Sequence, residues 1–216
     1  MAFSLCWKAP RSQWSFLQAV NSGSPLFLWR TVGSCLDPKM KAYLEENTEV
    51  TSSGSLTPEI QLRLLTPRCK FWWERADLWP YSDPYWAIYW PGGQALSRYL
   101  LDNPAVVRGK SVLDLGSGCG ATAIAAKMSG ASKILANDID PNMFYDEDLA
   151  DSLHLWLQNY FWTYGTRILI GDPGRPQFSG HSIRHQLYQL VEYTLPEPTQ
   201  QDNNGLTTSA VWDFHP

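Results

Sequence analysis

The chain has 216 residues, 44% of them apolar, enough to bury a core and too few for more than one domain with an appendage. No apolar run approaches the roughly 18 residues of a membrane-spanning helix, and four dispersed cysteines (Cys6, Cys35, Cys69, Cys119) without CxxC spacing exclude a disulfide framework and a zinc site alike. The formal charge is −4.

Residues 1–36 contain no Asp or Glu, whereas Lys8, Arg11 and Arg30 are basic and serines recur at positions 4, 12, 15, 22, 24 and 34. This composition reads as a mitochondrial transit peptide, disordered and outside the fold, with a plain disordered tail as the alternative. Pro10 to Gln13 interrupts any secretory core. Without residues 1–36 the remainder has 17 − 3 = 14 basic residues against 21 acids, a charge of −7, which attracts a lysine-rich protein and repels nucleic acid.

Asp37 to Glu49 predicts a helix with Pro38 just inside its start, and residues 51–55 form a polar loop. Alternation from Ile60 to Leu65 predicts a strand. Residues 37–90 thus read as an N-terminal helix with an aromatic-rich extension, because nine aromatics crowd into residues 71–90. Core packing, a base-stacking platform and a cage for a cation compete for these rings, and the acids Glu74, Asp77 and Asp83 disfavour the second. Trp90 differs from the rest in preceding Pro91-Gly92-Gly93 and a helix bearing Ala95, Leu96, Tyr99 and Leu100.

Ser111 to Leu115 is an apolar strand that ends in a turn containing Gly116, Gly118 and Gly120, and Ala121, Ile124, Ala125 and Met128 follow on one helix face. A second strand, Ile134 to Ala136, ends at Asp138 and Asp140. Glycines at such a turn let a ligand approach the backbone, and an acid some 20 residues on can accept ribose hydroxyls. Asp138 stands 22 residues after Gly116. Gly116, Gly118 and Ala121 also match the alanine-ended dinucleotide fingerprint, the basis of a nicotinamide oxidoreductase reading. Asp114 opposes it, since a carboxylate in the turn suits a cationic amine and repels a pyrophosphate.

The runs YWAIYWPGGQALSRYL, VLDLGSGCGATAIAA and ANDID resemble the seven-β-strand, family-16-type protein lysine methyltransferases. That resemblance implies an α/β, Rossmann-like domain over residues 91–216, with S-adenosyl-L-methionine as cofactor. It implies Asp114, Gly116, Gly118, Gly120, Asp138 and Trp90 around that cofactor. It also implies lysine methylation of the electron transfer flavoprotein beta subunit by a monomer in the mitochondrial matrix, without membrane or nucleic acid. Asn142, Phe144 and Tyr145 fall on the family's acid-x-x-aromatic motif facing the target lysine, although Asn142 replaces the acid. No residue is assigned as general base, and no metal is expected.

The family's sheet order is 3-2-1-4-5-7-6, with strands three and four between the acid and that motif. Here only Ile139, Asp140 and Pro141 intervene, and three residues span at most about 11 Å. The sequence therefore resembles a methyltransferase shortened by loss of strands three and four, which makes a catalytically impaired form the alternative to a competent enzyme. Strand one is expected to close against strand five, giving the order 2-1-5-7-6, with the adenine side of the pocket open.

Glu147 to Trp162 reads as the crossover helix, with Leu149, Leu153, Trp156, Leu157 and Tyr160 on one face and Gly165 beyond its end. Arg167 to Ile170 is a buried strand, and residues 171–175 form a loop. His181 to Leu190 is predicted helical, His181 and His185 marking a solvated face rather than a metal pair. Gln189 to Thr194 and Thr207 to Phe214 form a closing antiparallel pair around the polar stretch from Glu197 to Gly205.

Overall fold

The computed structural model describes residues 2–7, 38–75, 78, 84–138 and 147–216. In chain order the elements are β1 (Ala2–Trp7), α1 (Pro38–Asn47), β2 (Glu49–Thr51), β3 (Leu62–Leu64), α2 (Pro91–Asp102), β4 (Ser111–Leu115), α3 (Ala121–Met128) and β5 (Lys133–Asn137). They continue with α4 (Glu147–Tyr164), β6 (Arg167–Asp172), α5 (Pro176–Gly180), β7 (Leu187–Thr194), α6 (Glu197–Asp202) and β8 (Thr208–Phe214). The main sheet has the order β5-β4-β1-β6-β8-β7, and β2 pairs with β3 in a separate ribbon.

Alternation along the strands divides the core between the two faces of the main sheet. Val112, Leu169 and Val211 pack with Leu96 and Leu100 of α2 and with Ala121 and Ala125 of α3. Leu113, Leu115, Ile168, Ile170 and Phe214 face the other way, toward Ala150 and Leu157 of α4 and Phe178 of α5. A third, smaller cluster joins Leu65 and Ala87 to Tyr43, Phe71, Trp72 and Trp86, so much of the described aromatic tract is packing. Trp73 and Tyr85 are exposed, at 77% and 42%, and the Trp73 indole N–H donates to the Pro67 carbonyl.

The expected closure of strand one on strand five does not occur. β1 lies between them, antiparallel to β4 (Leu5 opposite Leu113) and antiparallel to β6 (Leu5 opposite Ile168). Residues 1–36 are therefore not wholly disordered. The physical reason is backbone pairing: β4 and β6 carry inner edges whose N–H and C=O groups need partners, and an acid-free apolar segment supplies them on both sides.

Other boundaries move for local reasons. Residues 187–190, expected to be helical, belong to β7, because Leu187 pairs with Phe214 and Tyr188 with Asp213; only Ser182–Gln186 forms a turn of 3-10 helix. The strand after α4 runs on to Asp172, the short helix α5 begins at Pro176 just past the expected loop, and α6, capped by Pro196, lies within the polar stretch. Gly165 at φ 58° ends α4 where expected.

Two glycines set the position of everything at the upper rim of the sheet. A Cβ added to Gly92 would stand 2.4 Å from the Gly171 carbonyl oxygen, and one added to Gly171 would stand 2.1 Å from that of Gly92. The first turn of α2 thus rests backbone on backbone against the end of β6. Behind it, the buried Gln94 amide donates to the Tyr89 carbonyl (2.9 Å) and the Thr199 hydroxyl (3.1 Å) and accepts from the Leu56 N–H (3.1 Å). Thr199 in turn donates to the Gly54 carbonyl at 2.7 Å.

Candidate functional site

β4 runs into a turn in which Gly116, Gly118 and Gly120 take φ of 66°, 48° and 78°, a left-handed series that side chains with a Cβ rarely adopt. Gly120 is the N-cap of α3, and a Cβ there would meet open space. The turn is pinned to the neighbouring strand, because the Gly116 and Ser117 N–H groups both donate to the Asn137 carbonyl (2.8 and 3.2 Å). One residue further, Asp138 reaches back and its Oδ1 accepts from the Gly118 N–H at 3.0 Å. The acid predicted at the second strand's tip therefore already touches the glycine turn.

Across from this turn stands Trp90, the N-cap of α2, with Pro91 at N1. Its indole N–H donates to the Tyr85 carbonyl at 3.0 Å, fixing the ring, and the Arg175 guanidinium lies 5.9 Å from the ring centroid. Trp90, Gly93, Gly116, Gly118, Cys119 and Thr122 line a single concavity at the C-terminal end of β4. Open α/β sheets bind ligands at this end of their strands.

Asp114 is fully buried, and neither carboxylate oxygen has a hydrogen-bond partner. Burial pushes its pKa up to about 8; the Ala123 N–H pulls it down by less, short of a full hydrogen bond, and the Asp138 charge raises it. A buried carboxylate without a partner is costly, and a cationic group brought to the turn would relieve it. Burial pushes the Cys119 thiol up to about 12, the Ala121 N–H pulling against it and the charges of Asp114 and Asp138 adding to the rise.

The Asp114 shift has a measurable sign. The unfolded side chain titrates near the ordinary value of about 3.9, so between there and about 8 the folded state holds the extra proton. The corresponding stability is complete below about pH 4 and is lost as pH rises through about 8, with a slope of up to about 1.4 kcal/mol per pH unit. Urea unfolding of the parent from pH 5 to 8 is expected to show this decline, and Asp114→Asn to flatten it. Parallel curves would remove Asp114 from the titration.

The sequence places Asp172 in the loop of residues 171–175, with no role assigned to it. It is buried at the end of β6, and its Oδ2 accepts from the Gly174 (2.6 Å) and Arg175 (3.1 Å) N–H groups, ordering the loop that carries Arg175 against Trp90. Burial raises its pKa, against the pull of those two N–H groups. The signal was present in Gly171-Asp172-Pro173-Gly174, a turn sequence in which an Asp bonds the backbone two residues on.

The structure brings together Trp90, Asp114, Gly116, Gly118, Gly120 and Asp138, whereas Asn142, Phe144 and Tyr145 lie outside the described residues. Both ring nitrogens of His181 have partners within the chain: its Nε2 is 3.1 Å from Asp151 Oδ1 and its Nδ1 accepts from the Ile183 N–H. No cluster of three or more metal-ligating side chains occurs among the described residues.

Residues 94–144, from the first turns of α2 to beyond β5, match the ribosomal protein L11 methyltransferase (PrmA) family. The chain is 82% identical over 255 residues to the electron transfer flavoprotein beta subunit lysine methyltransferase of Mus musculus, across 100% of both. It is 65% identical over 262 residues to that of Homo sapiens, again across 100% of both. The Danio rerio protein of the same name is 50% identical over 215 residues, which cover 82% of this chain and 83% of the relative. No solved structure matches. With the glycine turn, the tryptophan-proline turn and the strand-end acid gathered at one rim, and with identity of this order along the whole length, the chain belongs to the electron transfer flavoprotein beta subunit lysine methyltransferase family.

Proposed function

We propose that the chain binds S-adenosyl-L-methionine at the rim of β4 and methylates lysines of the electron transfer flavoprotein beta subunit. The observation that carries this reading is Asp114, whose buried and unpartnered carboxylate lies beneath a turn held open by three left-handed glycines. Asp114 offers its charge to the cofactor's amine, Asp138 accepts from the ribose hydroxyls, the glycines allow backbone approach, and Trp90 walls the opposite side. The cofactor supplies a methyl group on a sulfonium, which an amine displaces in line, so the protein mainly aligns two reactants and excludes water. The lysine must lose its proton first, which apolar burial beside aromatic rings favours. Asn142, Phe144 and Tyr145 are the residues we assign to that channel. The protein acts as a monomer in the mitochondrial matrix, addressed by residues 1–36.

Two observations favour a second reading, in which this chain is a shortened and impaired form lacking the family's strands three and four. An alignment of 255 positions against 216 residues leaves 255 − 216 = 39 of them without a residue of this chain. In addition, the place beside β4 is taken by an antiparallel strand from the N-terminus, whose direction cannot present a motif at the cofactor rim as a parallel strand four would. The adenine side of the pocket is then open.

Calorimetric titration with S-adenosylhomocysteine is expected to give saturable binding, and tritiated methyl is expected to enter lysines of the purified flavoprotein subunit. The rate should fall on the order of a hundredfold below that of the Mus musculus relative, because small misplacements cost about that much. Absence of binding would defeat the first reading, and a rate equal to the relative's would defeat the second. A reporter fused to residues 1–36 should enter mitochondria; a diffuse cytosolic signal refutes the address.

A further inference from the structure

β1 is joined to the sheet by backbone pairing on both sides. Phe3 to Trp7 pair with Leu115 to Ser111 of β4, and Ala2 to Cys6 pair with Gly171 to Arg167 of β6. Those two strands are the buried centre of the sheet: Val112, Leu113, Leu115, Ile168, Leu169 and Ile170 are each at most 3% exposed. Neighbouring strands stand about 4.8 Å apart, so without β1 a slot roughly twice that width would separate β4 from β6. The open edges of both would then need another extended segment, or the halves would have to slide together.

Sheet-edge recognition of this kind draws affinity from main-chain hydrogen bonds and selectivity from apolar side chains at alternate positions. The segment Ala-Phe-Ser-Leu-Cys-Trp has the composition that such a slot accepts, with no charge, no proline and no glycine. We propose that the gap between β4 and β6 is a strand-acceptor site for an extended, uncharged, apolar peptide, filled in this protein by its own residues Ala2–Trp7. An import leader must be free of the fold to be read. If residues 1–36 are one, folding and import therefore draw on the same six residues, and the folded chain hides its own address. The strand-acceptor site itself does not depend on the methyltransferase reading.

The proposal is tested by hydrogen exchange on the full chain, resolved by mass spectrometry. In the unmodified protein the amides of residues 3–7 are expected to exchange roughly a hundredfold or more slowly than in the free hexapeptide. Exchange at the free-peptide rate overturns the proposal. Leu5→Pro removes a ladder donor from a central strand and is expected to expose Val112–Leu115 and Ile168–Ile170 while sparing β7 and β8; Leu5→Val should change neither. An excess of the synthetic peptide Ala-Phe-Ser-Leu-Cys-Trp should restore protection to the proline variant, and the same peptide with its leucine replaced by proline should not. Unaltered protection of β4 and β6 in Leu5→Pro, or equal rescue by the proline-bearing peptide, refutes the site. If the proline variant unfolds throughout, the exchange of residues 3–7 in the unmodified chain decides alone.

Discussion

Replacing Asp138 by alanine weakens S-adenosylhomocysteine binding by about 2–4 kcal/mol, or roughly thirty- to a thousandfold, because hydrogen bonds to a charged acceptor are worth about 1.5–3 kcal/mol each. Two losses add. The ribose hydroxyls lose their acceptor, and the Gly118 N–H, held by Oδ1 at 3.0 Å, loses the partner that shapes the turn. A smaller change runs the other way. The Asp138 charge helps raise the Asp114 pKa, so its removal lets Asp114 ionise at lower pH, and the pH profile of binding shifts downward in the variant. Asp138→Asn, which keeps one acceptor oxygen, should fall between parent and alanine. Calorimetric titration across pH 6 to 8 separates the two effects, and an affinity unchanged in the alanine variant would take Asp138 out of the cofactor site.

Gly92→Ala is expected to cost about 3 kcal/mol or more in urea unfolding, at or above the upper end of the usual 1–3 kcal/mol for overpacking. The reason is the identity of the neighbour. The added methyl would lie 2.4 Å from a backbone carbonyl oxygen and 2.9 Å from its carbon, and neither can rotate away. α2 must therefore lift from β6, carrying Trp90 and Gly93 with it, so cofactor binding should fall with stability. Gly180→Ala is the control. Its Cβ would meet nothing within 4 Å, and it should stay within about 0.5 kcal/mol of the parent. A Gly92→Ala variant as stable as that control would show that helix and strand have more room than their backbones indicate.

The strand, turn, helix and strand from Ser111 to Asp138 were legible in the sequence because everything that defines them is local: apolar runs, glycines at the turn, a 3.6-residue period and an acid at a fixed distance. Trp90 was legible for a similar reason, since Pro91 fixes the helix start one residue later. β1 was not. Whether a six-residue apolar segment pairs is decided by which edges are left open more than a hundred residues away, and its acid-free composition pointed toward a leader. Leu187 to Leu190 misled for a related reason. Their burial pattern is set by β8, and on their own they fit a helix as well as a strand. Gln94 was overlooked because a buried polar residue announces itself only through its partners. Those of Gln94 lie 38 and 105 positions away.

That amide has a consequence for how the molecule comes apart. Gln94 sits in α2, Leu56 in the extension before it and Thr199 in α6 near the chain's far end, and Gln94 bonds both of the others. Detaching residues 37–90 would take the Leu56 N–H and the Tyr89 carbonyl from Gln94 and the Gly54 carbonyl from Thr199, at about 1–3 kcal/mol for each buried group left without a partner. The ribbon, the tryptophan-proline turn and α6 therefore melt in the same step as the sheet, and the extension is a cooperative part of the catalytic body rather than a module that can drift from it.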